Sequence, residues 1–305
     1  MTWLWLALGV AVFQALKDVT SKRALRGFDA YTVAFGLRFF SLPLLALFLF
    51  QSGIPAPRSD FWWWLLASAV GNGLVTILYM KALQHDDLGV TLPMLAFTPI
   101  FMLVTSPIML GEFPGPAGIY GIVCIVAGSY LLHLGKSGDG QGLLRPFRAL
   151  FERPGARYML LVAFIWSVTS NVDRLGIAAS SAPLWGFASH AAIACFLAPT
   201  LLPGPWRSAP NPVPTGATHA TGWNEATRRA FLFLLLLGCL SAGRQISQML
   251  ALELTLTPYV IALKRLSIVI GMLLGIALFH EKTGPMRLIG AGVMVAGAAL
   301  IALFA

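Results

Sequence analysis

The residues best suited to chemistry in this 305-residue sequence are ionisable side chains inside long apolar segments. Four are cations and the fifth is a histidine: Arg38, Arg244, Lys264, Arg265 and His190. No acid lies near the middle of such a segment, since Asp18, Asp173 and Glu253 lie towards segment ends. Ionisable groups within a membrane usually face a cavity or a partner. These cations therefore favour an anionic or carboxylate-bearing ligand, for which Arg244 is the strongest candidate.

Uncharged polar and aromatic residues form stripes at helical spacing near these cations. Asn72 and Tyr79, for example, lie seven residues apart and share a helix face. The other residues predicted to face the same cavity are Gln14, Trp166, Gln245 and Gln248. We predict that the first, third, sixth and eighth apolar segments present polar faces to a central wet cavity, with Tyr79 and Trp166 as apolar or stacking walls.

Each of these residues also has a structural interpretation. Ser, Thr, Asn and Gln side chains on membrane helices often hold neighbouring helices together by hydrogen bonds. Arg38 can bond a helix end, and His190 can be a satisfied core residue rather than a proton carrier. Lys264 and Arg265 are adjacent and point about 100° apart on a helix, so they cannot face one cavity equally. One of them is expected to bind a backbone carbonyl or to extend towards the membrane surface.

The composition identifies the elements that carry these residues as membrane helices. Hydrophobic residues make up 57% of the chain and charged residues 11%, with a mean hydropathy of +0.78, whereas soluble domains carry about 25% charged residues. This balance excludes a soluble enzyme, a disordered chain and a fibrous protein. Continuous apolar runs without alternation select helices over a closed barrel. Ten spans are predicted, at 2–19, 29–50, 61–83, 90–110, 117–134, 157–175, 183–202, 230–252, 258–279 and 286–304.

The two halves of the sequence are similar to each other. A shift of 169 residues places 111–132 over 280–301 and aligns Glu112 with Glu281. Each of these glutamates lies in a turn that begins a helix, where a carboxylate offsets unpaired N–H groups and the positive end of the helix dipole. We therefore predict that both are structural caps rather than substrate ligands. Glycines that recur every seven residues in the aligned segments predict close helix packing.

An earlier part of each half aligns at a shift of 152 residues, which superposes Arg38 on His190. The two shifts differ by 17 residues, and the 203–229 loop is longer than the 51–60 loop by the same number. One insertion therefore explains both shifts. Each half holds five helices, and because five is odd the second half enters the membrane in the opposite orientation. We predict an all-α polytopic membrane protein of ten transmembrane helices, arranged as two inverted five-helix repeats.

The repeats define the domain organisation. The first five-helix repeat is predicted at 1–134 and the second at 157–305, with 203–229 as a flexible loop insertion rich in Pro, Thr, Gly and Ala. Residues 135–156 connect the repeats as a basic amphipathic linker. A short helix within this linker, limited by Pro146, is expected to lie at the membrane interface.

The repeated segments resemble a known family. TPIFMLVTSPIMLGEFPGPAGIYGIVCIVAGSYLL and LKRLSIVIGMLLGIALFHEKTGPMRLIGAGVMVAGAALIAL are similar to the two EamA modules of the drug/metabolite transporter superfamily. The shared pattern is an apolar helix, a Gly-Glu or His-Glu turn, and a helix with glycines seven residues apart. The resemblance implies a ten-helix carrier that moves small metabolites, amino acids or drugs by alternating access.

We therefore predict a secondary transporter, an exporter or exchanger, of a small organic metabolite, amino acid or related anion in the plasma (inner) membrane. The alternatives are a lipid-headgroup flippase on the same fold and a membrane-embedded enzyme acting on lipid-linked substrates. An enzyme would need a nucleophile, base or metal cluster at one depth, but the five histidines are scattered. No catalytic residue, metal or cofactor is expected. The expected partners are the solute and the lipid bilayer, not nucleic acid, with the chain a monomer or homodimer.

The net charge of +9 is interpreted as a record of orientation. About 15 of the 21 Lys and Arg residues lie in or beside the loops that follow odd-numbered helices, against only Arg58 and Arg174 at the other loops. The positive-inside rule places the richer loops in the cytoplasm and both termini outside. The family resemblance implies cytoplasmic termini instead. Because the charge asymmetry is large, we predict external termini.

Overall fold

The structure is a computed structural model that describes residues 2–24, 28, 30–85, 93–134, 152–202, 225–279 and 284–304. All regular secondary structure in these ranges is helical. The first half contains α1 (Thr2–Ala24), α2 (Ala30–Phe39), α3 (Leu42–Ser52), α4 (Phe61–His85), α5 (Thr98–Leu110) and α6 (Pro116–Leu134). The second half contains α7 (Pro154–Ala178), α8 (Ala182–Leu197), a 3-10 turn (Ala198–Leu201), α9 (Glu225–Leu254), α10 (Thr257–Lys264), α11 (Ser267–Phe279) and α12 (Pro285–Phe304).

Within the described residues, these helices make ten segments that are long and apolar enough to cross a membrane, which confirms the ten predicted spans. α2 and α3 form the second span, residues 93–95 and α5 form the fourth, and α10 and α11 form the ninth. α9 begins at Glu225, inside the segment predicted as a loop. Three predicted features lie outside the described residues: 135–151 of the linker, 203–224 of the loop, and Glu281.

The packing of the helices repeats between the two halves. Under the sequence shifts, α1 corresponds to α7 and α4 corresponds to α9. α4 packs along α7 and α9 packs along α1, so each helix pair is the image of the other. α6 and α12, which correspond to each other, form the most extensive helix pair. The bundle is therefore two inverted five-helix repeats related by a pseudo-two-fold axis.

The glycines of α6 and α12 show the same reciprocity at single residues. A Cβ on Gly121 would lie 2.7 Å from the Gly297 carbonyl oxygen, and a Cβ on Gly290 would lie 2.6 Å from the Gly128 carbonyl oxygen. The 169-residue shift converts one contact into the other, because it aligns Gly121 with Gly290 and Gly128 with Gly297. Small residues let membrane helices approach closely, and here they bring the backbones of the two halves into contact.

Two spans are interrupted at equivalent positions, where the sequence predicted continuous helices. The fourth span turns at 96–97 before α5, and the ninth turns at 265–266 between α10 and α11. In both turns an N–H donates to the carbonyl three residues earlier, from Phe97 (3.2 Å) and from Leu266 (2.9 Å). The 169-residue shift superposes the two breaks. Interrupted helices of inverted-repeat transporters often form the substrate site, so the breaks mark where to look for it.

The second span is also interrupted, at residues 40–41 between α2 and α3. Pro43 lies in the first turn of α3, where a proline ends a preceding helix but is compatible with the start of a new one. The equivalent helix, α8, continues through the equivalent positions. The span predicted at 29–50 is confirmed as one membrane span, Tyr31–Ser52, which contains this turn, and the two repeats differ at this point.

Candidate functional site

The centre of the candidate site is the side-chain amide oxygen of Gln248, which accepts hydrogen bonds from two cations. Arg244 Nη1 donates to it (2.9 Å) from one turn earlier on α9, and Lys264 Nζ donates to it (3.0 Å) from the end of α10. Arg244 Nη2 also donates to Gln245 Oε1 (2.8 Å). Arg244, Gln245 and Gln248 are buried, whereas Lys264 is partly exposed. We call these four residues the Gln248 cluster.

The Gln248 cluster carries two positive charges that no carboxylate pairs with directly. Among the residues that the structure describes, no Asp or Glu oxygen lies within 4.0 Å of the side-chain nitrogens of Arg244 or Lys264. Asp173 and Asp18 lie farther away, within electrostatic range of Arg244. Two cations that bond only to neutral amides can also donate charge-assisted hydrogen bonds to a negatively charged ligand.

The two acids near the Gln248 cluster are held by other partners. Asp173 Oδ1 accepts a hydrogen bond from Trp185 Nε1 (3.0 Å). Asp18 forms an ion pair with Lys17 (3.0 Å) and accepts a hydrogen bond from Gln14 Nε2 (2.9 Å), and its side chain is 54% exposed. Gln14, predicted to face the cavity, is therefore bonded to a neighbour on its own helix. Both carboxylates remain apart from the cations of the cluster.

A third cation joins the two interrupted spans. Arg265, in the break of the ninth span, donates through Nη2 to Thr98 Oγ1 (2.7 Å), and Thr98 directly follows the break of the fourth span. Arg265 Nε is buried, and no hydrogen-bond partner for it occurs in the described part of the chain. The adjacent cations thus point in different directions, as their helical separation requires. Lys264 bonds the Gln248 cluster, and Arg265 connects the breaks.

Arg38 and His190 form a second buried polar group, between α2 and α8. Arg38 Nη1 donates to His190 Nε2 (2.7 Å), and Ser41 Oγ donates to the Arg38 carbonyl (2.6 Å). Since Ser41 Oγ also lies 2.7 Å from His190 Nδ1, these partners require the neutral imidazole with its proton on Nδ1. The neighbouring Ser189 accepts from Gln245 Nε2 (3.5 Å), so this group adjoins the Gln248 cluster.

Tyr79 and Trp166 form an aromatic pair between α4 and α7. Their ring centroids are 6.4 Å apart and their planes are inclined by 41°. Both residues are partly exposed. α7, which carries Trp166, also contacts α9 and α10, which carry Arg244 and Lys264. The aromatic pair and the cations therefore border the same interior region.

Asn72 and Asn171 differ in the helices to which their side-chain amides bond. Asn72, predicted to face the cavity, donates to the Ser68 carbonyl (2.9 Å) on its own helix. Asn171, which the sequence did not predict, is buried in α7 and bonds to α5 through Thr105 (3.0 Å) and Ser106 (2.7 Å). The sequence feature that could have identified Asn171 is its position, as an amide side chain in the middle of an apolar segment. The bonds of Asn171, which join α7 to α5, are the helix-joining role expected of polar residues in membranes.

Glu112 links the two halves at one end of the bundle. Its carboxylate accepts a hydrogen bond from the Thr257 N–H (2.7 Å) at the start of α10 and forms an ion pair with Arg174 Nε (3.5 Å) near the end of α7. Arg174 also donates to the Leu252 carbonyl on α9. Glu112 thus meets the start of a helix in the other half rather than of α6, which it precedes. We call the contacts of Glu112 with Arg174 and Thr257 the Glu112 latch.

Ten spans in two inverted repeats, with equivalent interruptions in the fourth and ninth spans, define a multi-pass integral membrane protein with the architecture of a transporter. The model of the EamA-like transporter family matches residues 1–134 and 153–303, and the chain belongs to this family. A solved crystal structure is similar over 99% of this chain and 97% of its own, with a TM-score of 0.74 and 16% sequence identity. That likeness shows the fold. Curated proteins give no match.

Proposed function

We propose that the protein is a secondary transporter of a small organic anion, which works by alternating access between its two repeats. The observation that carries the proposal is the position of Gln248 Oε1 between Arg244 and Lys264. Among the described residues, no carboxylate lies within 4.0 Å of either cation. Burying unpaired charge in a membrane is costly and usually marks a functional site, and an anionic solute offsets that cost.

The solute binds by exchange with the amide oxygen of Gln248. A carboxylate or phosphate oxygen takes its place between the guanidinium of Arg244 and the ammonium of Lys264. The bonds from Arg244 and Lys264 to the Gln248 oxygen are charge-assisted on the donor side only. An anion adds attraction between full opposite charges, so this exchange favours an anion over a neutral amide. Gln245 holds the guanidinium in position through its bond to Nη2 (2.8 Å). We therefore expect the negative charge of the solute to contribute most to selectivity at this site.

Alternating access is supported by the inter-repeat contacts at the Glu112 end of the bundle. The Glu112 latch joins the 111–115 turn of the first repeat to α7 and α10 of the second, and the Arg58 N–H donates to the Ala179 carbonyl (2.8 Å) across the repeats at the same end. At the opposite end of α1, Asp18 is 54% exposed and pairs with a residue of its own helix. We assign this arrangement to a state closed at the Glu112 end, and transport requires the latch to open.

The charge distribution supports an orientation with the Glu112 end and both termini outside. The loops at the opposite end hold most of the Lys and Arg residues, which collect in the cytoplasm. In the plasma membrane, a state closed at the Glu112 end then receives solute from the cytoplasm. Because solute enters from the cytoplasm in this state, we propose that the protein exports or exchanges it.

Ligand binding to the purified protein tests the anion assignment. Pairs of organic acids and their neutral amides, matched in shape, are compared by the rise in unfolding temperature that each produces in detergent. We expect the acid of each pair to stabilise the protein more, Arg244→Gln to remove the difference, and Arg244→Lys to retain part of it. An amide or an amine that binds more tightly than its acid contradicts the proposal. Movement of a labelled phospholipid between leaflets, without transport of soluble anions, supports the flippase instead.

A further inference from the structure

Equivalent positions of the two repeats carry opposite chemistry around the interior region. Under the 169-residue shift, Lys264 corresponds to Leu95 and Gln248 corresponds to Tyr79. Lys264 directly precedes the break in the ninth span, and Leu95 directly precedes the break in the fourth. Both side chains are partly exposed. The same location thus presents a cation in one repeat and an aliphatic group in the other.

The same difference between a polar and an apolar residue at equivalent positions occurs on α1 and α7. The 152-residue shift aligns Gln14 of α1 with Trp166 of α7. α1 packs on α9, whereas α7 packs on α4, so the polar and aromatic members fall on separate helix pairs. We call the surface on α1, α9 and α10 the cationic wall, comprising Gln14, Arg244, Gln248 and Lys264. We call the surface on α4, α7 and 93–95 the aromatic wall, comprising Tyr79, Leu95 and Trp166.

Several polar groups on the helices of the aromatic wall are satisfied within those helices, whereas Asn171 of α7 bonds to α5. Asn72 Nδ2 donates to the Ser68 carbonyl (2.9 Å), and Thr76 Oγ1 donates to the Asn72 carbonyl (3.0 Å). Ser170 Oγ donates to the Trp166 carbonyl (2.7 Å). The aromatic wall therefore offers a solute mainly apolar surface, although its helices carry hydroxyl and amide groups.

The two walls face one region of the bundle. The Arg265–Thr98 hydrogen bond (2.7 Å) brings the break beside Lys264 against the break beside Leu95. α7 of the aromatic wall also packs on α9 and α10 of the cationic wall. A solute bound between the breaks therefore contacts both surfaces.

We infer that the solute is an amphipathic organic anion, with its anionic head on the cationic wall and an aromatic or bulky aliphatic group on the aromatic wall. This inference rests on the proposed function and names its substrate class. Burial of one ring-sized apolar group raises affinity on the order of ten- to a hundredfold. A small anion without such a group forgoes that gain.

Three probes separate the head from the apolar group: acetate, 3-phenylpropionate and 3-phenylpropionamide. Their affinities for the purified full-length protein are measured in detergent by isothermal titration or by the concentration dependence of the unfolding temperature. We expect 3-phenylpropionate to bind at least about tenfold more tightly than acetate, because only it reaches the aromatic wall. We expect the amide to bind at least about tenfold more weakly than the acid, because it lacks the charge.

Variants that exchange equivalent residues assign each preference to a wall. Trp166→Gln, which introduces the residue found at the equivalent position, is expected to weaken 3-phenylpropionate more than acetate and so to reduce the preference for 3-phenylpropionate. Lys264→Leu is expected to weaken both carboxylates by the same factor. Trp166→Phe keeps an aromatic ring and is expected to keep the preference, which separates recognition from folding.

The outcomes distinguish this inference from the proposed function. Equal affinities for acetate and 3-phenylpropionate, or no binding of 3-phenylpropionate at millimolar concentration while acetate binds, overturn the amphipathic substrate class and leave anion transport standing. A Trp166→Gln variant that weakens both carboxylates equally also overturns it. If the amide binds and neither carboxylate does, the proposed function fails as well.

Discussion

Arg38 donates a hydrogen bond to His190 (2.7 Å), and the 152-residue shift that relates the two repeats converts the first position into the second. Two equivalent residues touch only where the pseudo-two-fold axis passes between them. The pair therefore lies on this axis, between α2 and α8, as the glycine contacts of α6 and α12 do elsewhere along it. Under the proposed alternating access, the repeats would move about this axis, with the Arg38–His190 pair at its centre.

The single variants of the Arg38–His190 pair should together lower the free energy of unfolding by more than the double variant does. Arg38→Met leaves His190 buried with an unsatisfied nitrogen, at a cost of about 1–3 kcal/mol. We expect the double variant Arg38→Met/His190→Leu to cost less than the sum of the single variants, since it removes both polar partners. Unfolding of the three variants in detergent measures this coupling. Additive losses would show that the two side chains do not depend on each other.

Gly290→Ala and Gly292→Ala, on the same helix α12, should have opposite effects. A Cβ at Gly290 meets the Gly128 carbonyl oxygen at 2.6 Å, whereas nothing lies within 4 Å of a Cβ at Gly292. Overpacking costs about 1–3 kcal/mol, and Gly→Ala at an open helix position stabilises by up to about 1 kcal/mol. We expect the unfolding temperature to fall for Gly290→Ala only. Equal changes in both variants would contradict close packing of α6 and α12.

Arg174→Gln should destabilise the protein more than Arg58→Gln, although both arginines lie at the Glu112 end. Arg174 is 31% exposed and pairs with Glu112, which is 11% exposed, whereas Arg58 is 69% exposed. Exposed ion pairs contribute about 0–1 kcal/mol, while hydrogen bonds to charged groups with little exposure contribute about 1.5–3 kcal/mol. Thermal unfolding in detergent compares the two variants.

The same latch predicts the behaviour of Glu112→Gln. The amide keeps an acceptor for the Thr257 N–H and loses the charge that pairs with Arg174. We therefore expect lower stability or expression, with solute affinity retained in the protein that folds. A stable Glu112→Gln protein that has lost affinity alone would place Glu112 in the binding site and would refute the structural role.

The orientation prediction is tested with a C-terminal fusion. A reporter active only in the cytoplasm is expected to be inactive there, because the positive-inside rule predicts external termini from the charge distribution. A second fusion in the 135–156 linker is expected to be active. Clear activity at the C-terminus would reverse the orientation and, with it, the assignment of the Glu112 end to the outer surface.

The ten spans and their inverted repeat were predictable because lipid imposes them. Backbone polar groups find no partner in hydrocarbon, so long apolar runs become helices, and an odd number of helices per repeat inverts the second one. The cations inside the spans were likewise visible, since Arg244 and Lys264 stand out in apolar sequence. The Arg38–His190 alignment was also visible, but only the structure shows that the two side chains touch.

The breaks and the partners of each cation were not predictable, since both depend on tertiary packing. The turns at 96–97 and 265–266 lie inside continuous apolar runs, and only the first is followed by a proline, Pro99. The bond between Lys264 and Gln248 joins two helices across the α9–α10 turn. Likewise, Glu112 caps a helix of the other repeat because the repeats are packed together.

The most direct test of the anion-transport account is efflux from proteoliposomes. Liposomes are loaded with a mixture of carboxylate, phosphate, neutral and cationic metabolites, and the solutes that leave are identified by mass spectrometry against protein-free liposomes. The account predicts protein-dependent release of organic anions that Arg244→Gln abolishes and Arg244→Lys partly restores. Release of neutral or cationic solutes alone, or anion release that Arg244→Gln leaves unchanged, would contradict it.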